Sequence, residues 1–253
     1  MVAVRIILSG CCGAMGRAIT QAAGERGDVS IVAGIDPNAG AAGYPVFEAP
    51  CDCRVDADVI VDFSHTSALP DLLAFAEDKN LPIVLATTGY SEGEISRIKQ
   101  TAGAVPVFYT GNMSLGINLM QELCRIAARV LGGNPGFDIE IIERHHNKKI
   151  DAPSGTALML ADSVASVLET KPQYVYDRQS KRERRAKNEI GIHAVRAGTI
   201  VGEHEVIFAG QDEILTISHC AASKAVFASG ALSAAVFMRG KPPGLYAMKD
   251  LIG

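Results

Sequence analysis

The sequence has no apolar run near the roughly 18 residues of a membrane-spanning helix, so no membrane association is expected. No charged-then-apolar leader precedes the first strand-like run, and there is no internal repeat or low-complexity tail. Cysteine is scarce and scattered, as Cys11, Cys12, Cys51, Cys53, Cys124 and Cys220. That spacing gives no disulfide framework. Cys51-Asp52-Cys53 is half of a metal site without a second close pair, so no metal is expected. Reduced thiols of this kind point to the cytoplasm. The formal net charge of −4 lacks the basic excess of a nucleic-acid binder. The single basic run, Arg178–Lys187, holds no stacking aromatic; it reads as a solvated loop, or as a field that steers an anionic substrate. The remaining composition, 48% hydrophobic and 21% charged, is that of an ordinary globular chain of one large or two medium domains.

Short β-branched runs at Val4–Leu8, Val29–Ile35, Val59–Phe63, Pro82–Ala86 and Val105–Tyr109 alternate with helical spacing at Ala14–Glu25, Ser67–Lys79 and Ser91–Ala102. Ser91 is placed to cap the last helix, with Glu94 three residues on. Such alternation predicts an α/β fold with a doubly wound parallel sheet. After Asn112 the pattern changes. Ser114–Leu131 is a long helix with an apolar stripe of Leu115, Leu119, Leu123, Ile126 and Val130. Phe137–Glu143 is a strand and Thr156–Leu168 a helix. Gly191–Arg196, Thr199–Phe208 and Glu213–Cys220 are three strand-like runs suited to a mixed or antiparallel sheet, and Ser223–Arg239 returns to helix.

Gly10-Cys11-Cys12-Gly13-Ala14-Met15-Gly16 lies between the first strand and first helix, where a dinucleotide pyrophosphate would approach small residues and helix N–H groups. Asp36 ends the second strand twenty residues after Gly16 and is placed to accept from ribose hydroxyls. The same turn also fits a flavodoxin-like fold without a dinucleotide. A carboxylate repels a 2′-phosphate and Pro37 follows it, so NADH is favoured over NADPH. Two further turns close later strands: Ala86-Thr87-Thr88-Gly89 and Thr110-Gly111-Asn112-Met113. Ligands of doubly wound sheets bind at such strand ends. His65 is placed to cap or to line the same crevice.

Residues 143–156, Glu-Arg-His-His-Asn-Lys-Lys-Ile-Asp-Ala-Pro-Ser-Gly-Thr, are the densest chemistry in the chain. A metal site is one reading, but adjacent histidines on extended chain point opposite ways and Lys148 and Lys149 repel a cation. Structural histidines are a second. The third joins an acid to an anion clamp. One histidine donates a proton, Lys149 supplies positive charge, and Gly155 and Thr156 offer helix-start N–H groups to a carboxylate. Ser154 then caps the helix, and Asp151 and Pro153 shape the turn. His193, His204 and His219 read as hydrogen-bonded structural residues.

The run Glu143–Ala157, ERHHNKKIDAPSGTA, resembles the signature of the dihydrodipicolinate reductase family. The likeness extends to Gly10–Gly16, Ala86–Tyr90, Gly111–Gly116, Arg196–His204 and Gly244–Asp250. It implies a Rossmann-like domain over 1–113 plus 223–253 and an α+β substrate-binding and oligomerisation domain over 114–222. It implies NADH- or NADPH-dependent reduction of a cyclic unsaturated imine dicarboxylate, a step of lysine synthesis through diaminopimelate, by a homotetramer. In that likeness His145 is the catalytic acid and Lys149 a second proton donor. His146, Gly155 and Thr156 bind substrate. Gly10, Cys11, Cys12, Gly13, Ala14, Met15, Asp36, Ala86, Thr87, Thr88, Thr110, Gly111, Asn112 and Met113 contact the cofactor. Cys12 and Ala86 stand where glycine is common, and Pro37 where some members carry arginine. Another two-domain dehydrogenase, or a dinucleotide sensor without chemistry, are the alternatives.

Overall fold

The computed structural model describes residues 2–38, 40, 42–132 and 136–253. The chain forms two compact units, Met1–Leu115 with Lys224–Gly253, and Gly116–Ser223.

In the first unit the strands β1 (Val4–Ser9), β2 (Val29–Ile35), β3 (Val46–Phe47), β4 (Val59–Asp62), β5 (Ile83–Leu85) and β6 (Pro106–Tyr109) alternate with helices α1 (Ala14–Gly24), α2 (Leu69–Lys79) and α3 (Glu92–Thr101). Every strand pair is parallel. A sheet covered on both faces needs strands that are apolar on both sides, and β1 shows why VRIIL suits it. Ile6 and Leu8 pack with Ile19 of α1 on one face, while Ile7 packs with Leu72 and Leu73 of α2 on the other. Ser91 and Glu94 form the expected reciprocal cap of α3.

The second unit continues with α4 (Leu115–Leu131), β7 (Asp138–His145), α5 (Gly155–Ala165), β8 (Gln173–Val175), β9 (Glu189–Arg196), β10 (Gly202–Ala209) and β11 (Ile214–Ala221). Its sheet has the order β11-β10-β7-β9-β8, antiparallel around β10 and parallel around β9. α4 and α5 supply Ile117, Met120, Leu160 and Val164 to a core with Ile139, Ile141, Val206 and Phe208. The chain then returns to the first unit as α6 (Ala225–Met238), β12 (Gly244–Tyr246) and α7 (Met248–Ile252). α6 is largely apolar and alanine-rich, and it buries Ala228, Ala231, Leu232, Ala234, Ala235 and Met238 in the core of the first unit. A Cβ on Gly230 would lie 1.7 Å from the Met113 carbonyl oxygen, so only glycine permits that approach.

Several sequence expectations need correction. The α4 stripe points outward: Leu119, Leu123, Ile126 and Val130 are exposed. The core side of α4 is Ile117, Met120, Cys124 and Ala128. β7 runs on through His145, because Arg144 and His145 keep their pairing with β10 and β9. β12, after two prolines, pairs with β6 at the sheet edge. The basic run is only partly solvated, since Arg178 pairs with Glu189 and Arg185 pairs with Asp138 and Glu140.

Candidate functional site

The glycine turn of the first unit is built by close backbone approach. Gly10 has φ +75°, and a Cβ there would meet the Phe63 carbonyl oxygen at 2.6 Å. A Cβ on Gly16 would fall 2.2 Å from the Gly10 carbonyl oxygen, so the start of α1 lies directly on the turn. Gly13 caps α1 without a side chain, and this leaves a pyrophosphate room to approach the helix start. Asp36 is buried. Its carboxylate accepts from the Cys12 N–H at 3.0 Å and the Asn38 N–H at 2.9 Å. Each carboxylate oxygen keeps a lone pair for a further donor.

Beside this turn lies a cleft of about 580 Å³. Seven of the expected cofactor residues line it: Met15, Ala86, Thr87, Thr88, Gly111, Asn112 and Met113. Gly10, Cys11, Cys12, Gly13, Ala14, Asp36 and Thr110 do not line it. The last of these exchanges hydrogen bonds with the Asn112 backbone through its hydroxyl. Phe63, Ser64, Thr66 and Phe227 are lining residues that sequence reasoning missed. His65 does both things expected of it, accepting from the Ser67 N–H and lining the cleft. Asp62 was also missed. It is fully buried at the end of β4 and accepts from Ser64 and from the Thr87 hydroxyl at 2.8 Å, which fixes the rim of the cleft. The Tyr90 hydroxyl, 3.4 Å from the same carboxylate, is pushed up mainly by burial.

The second unit gathers the histidine chemistry at one end of its sheet. Period-two alternation puts Ile139, Ile141, Glu143 and His145 of β7 on the covered face. On β10 the same alternation covers Gly202, His204, Val206 and Phe208. One half of that face is apolar core; the other half carries Glu143, His145 and His204. Glu143 is fully buried. Its carboxylate holds His145 Nδ1 at 2.6 Å, both terminal nitrogens of Arg196 at 2.8 and 2.7 Å, and the Ser154 N–H at 3.0 Å. Burial opposes its ionisation, but the bonds from Arg196, His145 and Ser154 outweigh it and hold the carboxyl below its usual range. A carboxylate at Nδ1 makes that nitrogen the donor, and leaves Nε2 for chemistry. Gly202 stands beside Nε2, where a Cβ would come within 3.1 Å.

The His204 ring lies edge-on to His145, centroids 5.2 Å apart, and its Nε2 is 3.1 Å from the Ser154 hydroxyl. Burial first, then the neighbouring His145, push His204 down to about 4. It is therefore part of the site and stays neutral near pH 7. Ser154 caps α5 by accepting from the Ala157 N–H at 3.1 Å. Lys149 Nζ is 2.8 Å from Asp151. That hydrogen bond, with help from the Gly155 N–H, holds the Asp151 carboxyl below its usual range. An ammonium has three N–H donors, so Lys149 can hold a second carboxylate. Gly155 is exposed at the first turn of α5, and a Cβ there would meet nothing within 4 Å beyond its own helix and chain neighbours among the described residues. Thr156 follows it in the helix, half-buried. His146 has its Nδ1 buried without a hydrogen-bond partner among the described residues. Glu143 and Arg196 were missed as functional residues, although the i, i+2 spacing of Glu143 and His145 on a strand was readable.

Comparison with known proteins covers both units of the chain. Residues 4–113 match the family model described as dihydrodipicolinate reductase, N-terminus, and residues 116–252 match the model of its C-terminus. The chain is 50% identical over 249 residues, 98% of each chain, to the 4-hydroxy-tetrahydrodipicolinate reductase of Caldanaerobacter subterraneus subsp. tengcongensis. It is 49% identical over 250 residues to that of Clostridium tetani, covering 98% of this chain and 97% of the relative. A dipicolinate-bound dihydrodipicolinate reductase from Paenisporosarcina sp. TG-14 shares the fold, with a TM-score of 0.80, 23% identity and 97% coverage of each chain. The chain belongs to the dihydrodipicolinate reductase family, and it is a nicotinamide-dependent oxidoreductase.

Proposed function

We propose that His145 is the proton donor in a 4-hydroxy-tetrahydrodipicolinate reductase reaction, with Glu143 and Arg196 holding it in place. The substrate is a cyclic unsaturated imine with two carboxylates, reduced to tetrahydrodipicolinate in the diaminopimelate route to lysine. The observation that carries the reading is the bond from His145 Nδ1 to a fully buried carboxylate, which presents Nε2 as the free edge.

The first unit is the dinucleotide-binding part. Gly10, Cys11, Cys12, Gly13, Ala14 and Met15 would hold the pyrophosphate. Asp36 would hold the ribose, and Ala86, Thr87, Thr88, Thr110, Gly111, Asn112 and Met113 the nicotinamide end. A reduced nicotinamide supplies a hydride. The substrate ring then needs one proton, and His145 Nε2 gives it. Lys149 and the α5 start, Gly155 and Thr156, grip a carboxylate as charge and as N–H donors. His146 contacts the substrate, and Lys149 is the second group able to give that one proton. His204, neutral beside His145, adds no positive charge that would drive the acid's proton off early.

Asp36 and Pro37 favour NADH over NADPH, because a 2′-phosphate would meet a carboxylate. The second unit carries the oligomer contacts of a homotetramer. In support, Ile214 and Leu215 of β11 and the apolar α4 stripe are exposed, an arrangement typical of association surfaces; sedimentation at the mass of a monomer would refute it. The activity is tested by supplying the preceding aldolase product and following reduced-dinucleotide absorbance with each cofactor. The expected result is turnover with both, and a higher kcat/KM for NADH. A clear NADPH preference would refute the Asp36 argument, and no turnover with either would refute the reading as a whole.

A further inference from the structure

The phosphate turn carries an arrangement that dinucleotide binding does not require. Cys11, Cys12 and Asp36 offer two sulfurs and a carboxylate oxygen that all lie within 4.8 Å of one another. We propose that these three residues form a binding site for a thiophilic divalent cation of the zinc and cadmium class, and that the cation and the dinucleotide exclude each other at this turn. The exclusion rests on the cofactor placement given above; the metal site does not.

The geometry favours a metal. The two sulfurs are 3.8 Å apart. Two thiolates each about 2.3 Å from a tetrahedral Zn²⁺ stand about 3.8 Å from one another. A disulfide between them fits poorly. Consecutive Cα atoms are about 3.8 Å apart across a trans peptide, whereas bridged cysteines need at least about 4.4 Å. The third ligand is already positioned, because Asp36 is tied to the turn through the Cys12 N–H and keeps lone pairs in reserve. Room for the inner sulfur comes from Gly34, where a Cβ would press to 2.5 Å from Cys11 Sγ.

The charges balance as well. Two thiolates and a carboxylate against a dication leave one negative charge, and the Arg17 guanidinium bonded to the Cys12 carbonyl oxygen lies there to offset it. A thiol binds a metal as its thiolate, so binding releases whatever protons the two thiols carry, with no electron transfer. The Asp36 oxygen that would meet ribose hydroxyls is then committed to the metal, and the net negative charge of the filled site repels the pyrophosphate at the same turn.

The test titrates the full chain, reduced and free of dinucleotide, with cadmium and follows the ultraviolet thiolate-to-cadmium absorption. One equivalent should bind with release of protons. Binding should be lost in Cys12→Ala and kept in the Cys51→Ala/Cys220→Ala variant, which lacks the two exposed thiols elsewhere in the chain. Should Cys12→Ala fail to fold, alkylation mapping of the wild-type chain gives the same information: cadmium should protect Cys12 and leave Cys51 and Cys220 reactive. No cadmium absorption, undiminished absorption in folded Cys12→Ala, or unprotected Cys12 would overturn the site. NADH should displace the bound cadmium, and free cadmium should raise the apparent KM for NADH without lowering kcat. Cys12-dependent uptake that NADH leaves unchanged would uphold the metal site and overturn both the exclusion and the cofactor placement.

Discussion

Replacing Glu143 with glutamine probes the acid without touching it. Glu143 is fully buried, and its partner Arg196 has a side chain only 18% exposed. Breaking a buried ion pair by removing one partner costs about 3–5 kcal/mol. Glutamine keeps the shape and one acceptor oxygen, so the lower end, about 3 kcal/mol, is expected in urea unfolding. The catalytic effect should be separate. The carboxamide oxygen is drawn to Arg196, which turns its NH₂ toward His145 Nδ1. An imidazolium then faces N–H where it had a carboxylate, and its protonated form is disfavoured. kcat should fall on the order of 10²-fold, the scale of a lost general acid, and the pH above which activity declines should move down. The assay is kcat against pH, with unfolding measured in parallel. A folded variant with wild-type kcat and an unmoved pH profile would show that Glu143 has no hold on the acid.

Gly155→Ala should fold and unfold like the wild type, since among the described residues nothing beyond its own helix and chain neighbours lies within 4 Å of the added Cβ. It should raise the substrate KM several-fold by crowding the carboxylate at the helix start; an unchanged KM would remove Gly155 from the clamp. His204 makes stability depend on pH. The unfolded chain takes up this proton near 6.5 and the folded chain only near 4. Between those values the unfolded state binds more protons, so stability falls as pH falls. At about 1.4 kcal/mol per pH unit, the loss reaches about 3 kcal/mol by pH 4. Urea midpoints measured from pH 7 to 4 should show this slope in the wild type and a shallower one in His204→Gln; parallel slopes would contradict the assignment.

Much of this was legible because the periodicities are simple. β1, β2, β4, β5 and β6 are short β-branched runs, and a doubly covered parallel sheet demands just such runs. β3 and β12, Val46-Phe47 and Gly244-Leu245-Tyr246, are short and hold no run of β-branched residues to mark them. The α4 stripe misled because the helix has two apolar faces, and only packing decides that Ile117, Met120 and Cys124 turn inward. The stretch from His145 at the end of β7 through Lys149 to the α5 start stands out by residue type. Glu143, Asp62 and Arg196 do not, since a charged residue is read as exposed until a partner far along the chain is known. Arg196 meets Glu143 only because β9 lies parallel to β7.

The assignment of the acid is tested most directly by His145→Gln. Reduction of the substrate by saturating NADH, followed from pH 5 to 9, should show kcat lowered on the order of 10²-fold or more and the decline at high pH abolished, with NADH affinity unchanged. A wild-type rate that keeps its dependence on pH would contradict the account and move the proton donor elsewhere.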